Sequence, residues 1–424
     1  MENFYYGIDD STSYVATHEA PTTWKCVVNG EFCGVTTKNA MRGPMWSADD
    51  PCMSQLSGFK STALVRRLLS VASSSLIDLD LDLDLDLDLG LSLGNEQCSN
   101  PTERKEWGEL TPAQRIEYTD AVLCLQKKPQ HIPREEYPGV RNRFDDFVAT
   151  HVNYTLNVHY SGLFLPWHRH FLALWETALQ EECGYSGSVP YWDWPKWERD
   201  LAGSPLFDCS ASSLSGDGEY DPSEQGLQGP GVYIPRGSGG GCVRCGPFKD
   251  MQIHMGPFPR NLPDTTKIPA PAFDYNPRCF NRSLNNFVGT HYNNVTIVDR
   301  LLASTDINDF LTVMDHWPAK PNGVLGVHGG GHFSLGSTLQ DLFASPQDPA
   351  FMLHHAMIDR LWGIWQSKDV KNRNALNGTD KILNPPTAKI VTLDTDMEFG
   401  VLGRPRSVGR SMNPTQNGYC YSYT

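Results

Sequence analysis

Apolar residues recur with a helical period along much of the chain after Cys98, and polar residues fill the positions between them. Thr111–Gln114 has the form of a capping box with proline at the first helical position, which predicts a helix over about 112–127. The same apolar spacing predicts further helices at Arg141–His151, from Pro166 to Cys183, at Asn281–Ala303, at Asp306–Asp315 and at Phe351–Ser367.

Three stretches of this region lack a helical period. Asn153–Tyr160 is predicted to be a loop that carries His159, and the chain after Pro385 is predicted to be extended. Gly203–Tyr275 is long, irregular and rich in glycine. A stretch of this kind is either tied down by cysteines or lines a functional site.

The first 97 residues show no convincing helical or strand period. Their one regular feature is Ile77–Leu89, where a strand would place six aspartates on one face and make them repel each other. We therefore predict that 1–97 is a low-complexity extension, either disordered or the product of an error in the gene prediction. Residues 98–424 are then the folded domain.

Charge and cysteine usage narrow the class of protein. The net charge of −14 argues against a nucleic-acid partner, and no run approaches the roughly 20 apolar residues that a membrane span needs. From Cys98 onward there are eight cysteines, which can pair completely, and we predict that Cys98 pairs with Cys124. The dispersed cysteines and four Asn-x-Ser/Thr sequons favour a secreted protein.

A signal peptide is not evident at the start of the chain, because Met1–Gly30 is polar and mixed. The nearest candidate is internal, where Arg66 and Arg67 precede the short apolar run Leu68–Leu76. That run is either the remnant of a signal sequence or an incidental apolar patch.

Several histidines have spacings that suit metal ligands. His328 and His332 are four residues apart and therefore share one face of a helix. The three residues between them are glycines, each of which costs a helix about 0.8–1 kcal/mol relative to alanine. Metal bonds would offset that cost, and the missing side chains would leave open space above the ions.

The helical stretch Leu353–Trp362 contains two adjacent histidines, His354 and His355. Neighbouring residues on a helix point about 100° apart, so only one of the two can face a given ion. Asp359 lies four residues after His355, on the same face. Its carboxylate can orient that ring or a neighbouring ligand, or else form a surface ion pair with an arginine.

A second set consists of His151, His159 and His168. His170 points to nearly the opposite side from His168 and is not expected to be a ligand. Two groups of three neutral histidines suit copper. Zinc would usually recruit cysteine or a carboxylate, and non-haem iron would need a facial carboxylate, but no Asp or Glu lies at ligand spacing.

These motifs resemble the tyrosinase and catechol oxidase (polyphenol oxidase) family, and most closely its fungal short-form enzymes. The resemblance covers about residue 98 to the C-terminus. It is carried by the histidine sets and their neighbours, namely Phe164-Leu165-Pro166-Trp167-His168-Arg169, His328-x-x-x-His332 and Asp348-Pro349-x-Phe351-x-x-His354-His355-x-x-x-Asp359-Arg360-x-Trp362.

The resemblance implies a mainly α fold with long irregular loops, in which a four-helix bundle holds a dinuclear type-3 copper centre. Tyr419–Tyr421 is similar to the motif that closes the family's core domain, so the resemblance implies that no C-terminal lid follows. His354 and Asp359 would support the ligands without binding copper. The two copper ions would bind His151, His159 and His168, and His328, His332 and His355, respectively.

The resemblance also implies an enzyme that oxidises a small phenolic substrate with dioxygen. In the family, efficient hydroxylation of monophenols goes with asparagine at the position of Gly329 and with a preceding glutamate that is absent here. Plant catechol oxidases place a gate phenylalanine at the position of Leu342, beside Phe343. We therefore predict a secreted catechol oxidase with weak monophenol hydroxylation. A true tyrosinase, an ortho-aminophenol oxidase and a haemocyanin-like dioxygen carrier are the alternatives.

Overall fold

The computed structural model describes residues 98–229, 232–258, 266–316 and 325–424, together with the backbone of four strands near the N-terminus. The chain divides into two units, Met1–Leu91 and Ser92–Thr424. The runs Leu68–Leu76 and Ile77–Leu89, to which the sequence drew attention, lie outside the described residues.

The first unit contains one antiparallel sheet, in a stretch for which the sequence pattern predicted no element. Each strand has six or seven residues. The strands follow each other in sequential order as β1 (Phe4–Asp9), β2 (Thr12–His18), β3 (Thr23–Val28) and β4 (Glu31–Thr36).

The second unit is mainly helical, as predicted. The Thr111 capping box is confirmed, because the Gln114 N–H donates to the Thr111 hydroxyl and the Thr111 N–H donates to the Gln114 side chain. The helices are α1 (Pro112–Leu125), α2 (Arg143–Val158), α3 (Phe164–Cys183), α4 (Asn286–Tyr292), α5 (Val295–Leu302), α6 (Ile307–Asp315), α7 (Val327–Leu335) and α8 (Ala350–Lys368).

Helix α2 corrects the loop that was predicted at Asn153–Tyr160, because the helix continues to Val158. Val152 and Leu156 are both buried and extend the apolar face of the helix by another turn. His159 is therefore the residue that caps α2, with an extended backbone, and it does not lie within a flexible connection.

Four of these helices form the bundle that carries the histidines. Helix α2 packs against α3, α3 packs against α8, and α8 packs against α7. Rings of Phe147, Phe171 and Trp175 fill the contact between α2 and α3, with centroids 5.0–5.7 Å apart. The predicted helical core is thus confirmed.

Besides several 3-10 helices of three or four residues, the remaining elements are short strands within the loops and at the chain end. A parallel pair joins β5 (Thr102–Arg104) to β14 (Tyr421–Tyr423) and so fixes both ends of the domain. The other strands form antiparallel pairs, namely β6 (Gly218–Tyr220) with β9 (Gly240–Val243), β7 (Leu227–Gly229) with β8 (Val232–Ile234), β10 (Gln252–Ile253) with β11 (Arg278–Cys279), and β12 (Asp396–Met397) with β13 (Arg406–Ser407).

The eight cysteines from Cys98 onward all form disulfides, but the predicted Cys98–Cys124 bond is wrong. Cys98 lies beside β5 and bonds to Cys420 beside β14, whereas Cys124 in α1 bonds to Cys183 at the end of α3. Pairing of distant ends depends on the tertiary fold and not on order in the chain. Two further disulfides, Cys209–Cys245 and Cys242–Cys279, tie down the glycine-rich region. None of the helices in the described ranges has the length and apolar character needed to cross a bilayer.

Candidate metal centre

Three histidines from α2 and α3 converge in the bundle. Ring centroids are 4.9 Å apart for His151 and His159, 5.2 Å for His159 and His168, and 5.8 Å for His151 and His168. All three side chains are buried. Their ligand atoms lie within 4.8 Å of one another, so that one ion could contact all three.

The second group contains four histidines from α7 and α8. The ring of His355 lies 5.2 Å from that of His328 and 5.6 Å from that of His332. The ring of His354 also belongs to the group, since it lies 4.6 Å from His332 and stacks 5.7 Å from His328. The geometry around His328 and His332 alone therefore leaves room for either member of the adjacent pair.

The two groups are neighbours, and His355 faces the space between them. Its ring stacks on that of His168 with the centroids 4.3 Å apart, and the rings of His159 and His328 stack at 6.1 Å. His354 instead faces away from the first group and packs against Trp194. Two ions bound in the two groups would consequently be adjacent.

Backbone carbonyls hold four of these rings in a fixed tautomer. The carbonyls belong to different elements, but each one can only accept, so each ring carries its proton on Nδ1 and presents an Nε2 lone pair. The Nδ1 donors and carbonyl acceptors are His151 to Phe343 (2.7 Å), His159 to Thr155 (3.0 Å), His168 to Phe164 (2.8 Å) and His332 to Leu339 (2.7 Å).

His328 differs, because its Nδ1 faces a carboxylate. The Oδ1 atom of Asp315, the last residue of α6, lies 2.6 Å away. Within the described part of the chain, no lysine or arginine forms an ion pair with Asp315, and its contact with His328 is a hydrogen bond. Burial raises the pKa of Asp315 to about 7, although the nearby His159 acts in the opposite direction. Sequence reasoning missed Asp315; an acidic residue at a helix C-terminus, where it opposes the helix dipole, was the available signal.

The nitrogens that remain fit a metal ion. Among the described residues, the buried Nε2 atoms of His151 and His168 have no hydrogen-bond partner. The same is true of both ring nitrogens of His354 and of His355. The Nε2 atoms of His328 and His332 face each other at 2.9 Å. When both Nδ1 atoms donate, both Nε2 lone pairs point at the same place and repel each other. A cation bound between them would remove that repulsion.

Burial also keeps the imidazoles neutral and able to bind metal. It lowers the pKa of His328 to about 3 and that of His159 to about 4, in the second case with a contribution from His328. The pKa values of His151, His168, His332 and His355 are lowered for the same reason. No proton therefore competes for these lone pairs near neutral pH.

The glycines of α7 have a different explanation from the one expected. A Cβ atom on Gly331 would lie 2.1 Å from the His354 ring, and one on Gly330 would lie 2.3 Å from the Asn293 side chain. Both glycines are required by close packing and do not leave open space above the ions. Only Gly329 has room, because its Cβ would meet Leu325 at an ordinary 3.4 Å.

Asp359 does not orient a histidine ring, and its ion pair is not on the surface. Its Oδ1 accepts from Arg169 Nε at 2.6 Å, and its Oδ2 accepts from the hydroxyls of Tyr421 and Tyr423. Burial raises the pKa of Asp359, but Arg169 and Arg104 outweigh that effect and lower it overall. Asp359 thus joins the C-terminal strand β14 to Arg169, the residue that follows His168.

The other predicted residues lie around the centre. Phe343 is buried and stacks on Phe258, and its carbonyl orients His151, whereas Leu342 is half-buried. His170 lies outside both histidine groups and forms a hydrogen bond with the Tyr419 hydroxyl.

Known proteins share this arrangement. The family model described as the common central domain of tyrosinase matches residues 141–368. The chain belongs to the tyrosinase family. The matched region begins just before α2 and ends with α8, so it contains both histidine groups and the whole four-helix bundle.

Relatives and solved structures agree with that family assignment. The chain is 52% identical over 334 residues to Tyrosinase P of Aspergillus terreus, covering 77% of this chain and 93% of the relative. It is 49% identical over 345 residues to N-acetyl-6-hydroxytryptophan oxidase ivoB of Emericella nidulans, covering 77% and 94%. A glycine-to-asparagine mutant of polyphenol oxidase from Thermothelomyces thermophila has a TM-score of 0.71 at 39% identity, covering 76% and 89%.

The family settles the cofactor and the general reaction. The chain is a tyrosinase-family copper oxidase, and its cofactor is a dinuclear type-3 copper centre. Phenolic compounds and dioxygen are the substrates of the family. The predicted family and the predicted cofactor are thereby confirmed.

Proposed function

We propose that this enzyme is a catechol oxidase, which converts ortho-diphenols to ortho-quinones with dioxygen and hydroxylates monophenols weakly. In this proposal, His354 and Asp359 do not bind copper and support the site through their packing and hydrogen bonds. One copper ion binds the trio from α2 and α3, the other binds a trio from α7 and α8, and the ligands are His151, His159 and His168, and His328, His332 and His355.

The choice of His355 over His354 is supported by the direction of the two rings. His355 stacks on His168 of the first group, whereas His354 packs against Trp194 on the far side of α8. A ligand of the second ion must face the space between the groups, because the two ions would lie side by side there. The ring of His354 then packs between α8 and α7, and Gly331 provides the room for it.

Gly329 is the observation that carries the preference for diphenols. In the family, asparagine at this position goes with efficient hydroxylation of monophenols. Here the residue after His328 has no side chain, and the nearest group to its absent Cβ is Leu325 at 3.4 Å, which is apolar. Position 329 therefore supplies no side-chain amide next to His328 to help take the proton of a phenol.

When bound, the copper pair supplies the electron transfer and dioxygen chemistry that no side chain provides. Two catechols each give up two electrons and two protons, and one dioxygen becomes two waters. The chain itself contributes six imidazoles, five of which are oriented by a partner at Nδ1, and a buried site that excludes water. Leu342, which is half-buried, borders the substrate approach in this proposal, and Phe343 fixes His151 through its carbonyl.

Copper content and initial rates on matched substrates test the proposal. The wild-type protein is expected to bind two coppers and to oxidise a simple catechol much faster than the monophenol with the same substituent. Gly329→Asn should raise the monophenol rate relative to the catechol rate, because it adds an amide beside His328. The control Gly329→Ala should not, because it adds only the Cβ atom, for which there is room. Equal wild-type rates on the two substrates would overturn the proposal.

A second candidate is suggested by the 49% identical relative, which is named for a hydroxylated tryptophan derivative. Oxidation of a hydroxyindole would use the same copper centre. A hydroxyindole and an ortho-aminophenol belong in the substrate panel for this reason. A dioxygen carrier would bind dioxygen reversibly and consume no catechol in an oxygen electrode, which separates it from all of these enzymes.

We also propose that the enzyme is secreted. Four disulfides in one domain form and persist in an oxidising compartment, whereas the cytosol would reduce them. Fractionation of the cells that produce the protein checks this, and intact, reduced protein in the cytosol alone would contradict it.

A further inference from the structure

Among the described hydrogen bonds of the proposed ligands' Nδ1 atoms, only one has a side chain as its partner. That side chain belongs to helix α6. Four ligand rings donate to backbone carbonyls, which carry no net charge. His328 instead faces Asp315 at 2.6 Å, and both side chains are buried. The two halves of the centre are therefore unlike each other before any metal binds.

The position of Asp315 is unfavourable for the helix on its own terms. Asp315 ends α6, where the C-terminal end of the helix dipole repels negative charge, and the next residue, His316, has a left-handed backbone with φ 55°. In the described part of the chain, no arginine or lysine forms an ion pair with this buried carboxylate. A cation bound at the Nε2 atom, on the other side of the His328 ring, would compensate this charge.

We propose that Asp315 is a positioning residue that makes the copper site of His328, His332 and His355 the tighter of the two. The proposal rests on the ligand set given above. A hydrogen bond to an ionised acceptor is stronger than one to a neutral carbonyl, so the Asp315 carboxylate fixes the ring of His328 and makes its Nε2 lone pair a better donor to the ion. The other site has only carbonyl partners and holds its copper less tightly.

Copper competition with a chelator tests the proposal without an activity assay. Wild-type holoenzyme is titrated with a copper(I) chelator, and the copper retained per chain is measured at each step. Two coppers are expected to leave in two separate steps. Asp315→Asn keeps the shape and an acceptor oxygen but removes the charge, so it should lower the affinity of the later-leaving copper by about 10–100-fold, the usual effect of a partner of a metal ligand.

Two further variants keep the result interpretable. Asp309 is on the same helix and forms an ion pair with Arg300. Asp309→Asn removes that ion pair and should leave both steps unchanged. Asp315→Glu retains the charge and should hold the tight copper better than Asp315→Asn. Thermal melting of the copper-free proteins shows whether each variant folds, and Asp315→Ser, which also removes the charge, replaces Asp315→Asn if that variant does not fold.

The outcomes separate this proposal from the proposed function. Loss of the tight step in Asp315→Asn, with Asp309→Asn unchanged, supports it. Wild-type affinity in Asp315→Asn, or equal losses in the Asn and Glu variants, overturns it. Failure of the wild-type protein to hold two coppers contradicts the ligand set itself, and is seen before any variant is compared.

Discussion

The three consecutive glycines of α7 allow a direct test of how closely α7 and α8, which carry the second histidine group, pack against each other. Replacing Gly331 with alanine would place a Cβ atom 2.1 Å from Cε1 and 2.3 Å from Nδ1 of His354. The same replacement at Gly329 meets only Leu325 Cδ2 at 3.4 Å. The two variants make the same chemical change in one helix, two residues apart, and differ in what surrounds the added methyl group.

The expected free energies follow from helix propensity and overpacking. Alanine is about 0.8–1 kcal/mol better than glycine in a helix, so Gly329→Ala should stabilise the copper-free protein by about 1 kcal/mol. Overpacking a buried site costs about 1–3 kcal/mol. The upper half of that range applies at Gly331, because the His354 ring is fully buried and backed by Trp194. Gly331→Ala should therefore destabilise the protein by about 1–2 kcal/mol.

Urea unfolding of the copper-free proteins, followed by circular dichroism in the presence of a chelator, measures both changes directly. The free energies of unfolding should differ by about 2–3 kcal/mol between the two variants. In a domain of this size about 1 kcal/mol shifts the melting temperature by only 1–2 °C, so chemical denaturation is the better assay. Gly330→Ala, whose Cβ would press on the side-chain oxygen of Asn293, should fall between them.

Equal stability of Gly329→Ala and Gly331→Ala would refute the packing argument. It would mean that His354 moves at no cost, and that the glycines have no role in bringing α7 close to α8. Copper content measured on the same samples adds a second check, because a displaced His354 ring should disturb His332, whose ring centroid is 4.6 Å away.

Three further predictions concern stability. Asp359→Asn should cost about 3–5 kcal/mol, because Arg169 would remain buried beside a neutral amide; urea unfolding measures this. Removing the Cys98–Cys420 disulfide with serine at both positions should cost about 4–5 kcal/mol, because the bond spans 322 residues and restricts the unfolded chain; urea unfolding under oxidising conditions measures this. Stability of the copper-free protein should fall as the pH falls from about 6.5 toward 4, because burial lowers the pKa of His159 to about 4 while the unfolded chain takes up protons near 6.5.

Each of these has a matched control. Asp309→Asn breaks an exposed ion pair and should cost no more than about 1 kcal/mol, so equal losses in the two aspartate variants would contradict the first prediction. Serine at Cys209 and Cys245 opens a loop of 36 residues and should cost less than opening the longer one. His159→Gln should reduce the pH slope by about 1.4 kcal/mol per pH unit between pH 6.5 and 4, and an unchanged slope would contradict the third.

Local sequence determined the elements and the candidate ligand types. The Thr111 capping box and the apolar spacing of α3 and α8 depend only on neighbouring residues, so their helices were predictable to within a few positions. The spacing of His328 and His332 likewise fixes that they share a helix face. The resemblance of the flanking motifs then pointed to the family that the comparisons show.

The tertiary structure decided every contact between residues that are far apart in the chain. The partner of Cys98, the burial of Asp359 by the C-terminal tyrosines, and the pairing of Asp315 with His328 all join separate elements, and no spacing rule relates such positions. The glycines of α7 show the same division. Their cost to a helix is a local property, but the reason for it is the His354 ring on another helix, which only packing could reveal.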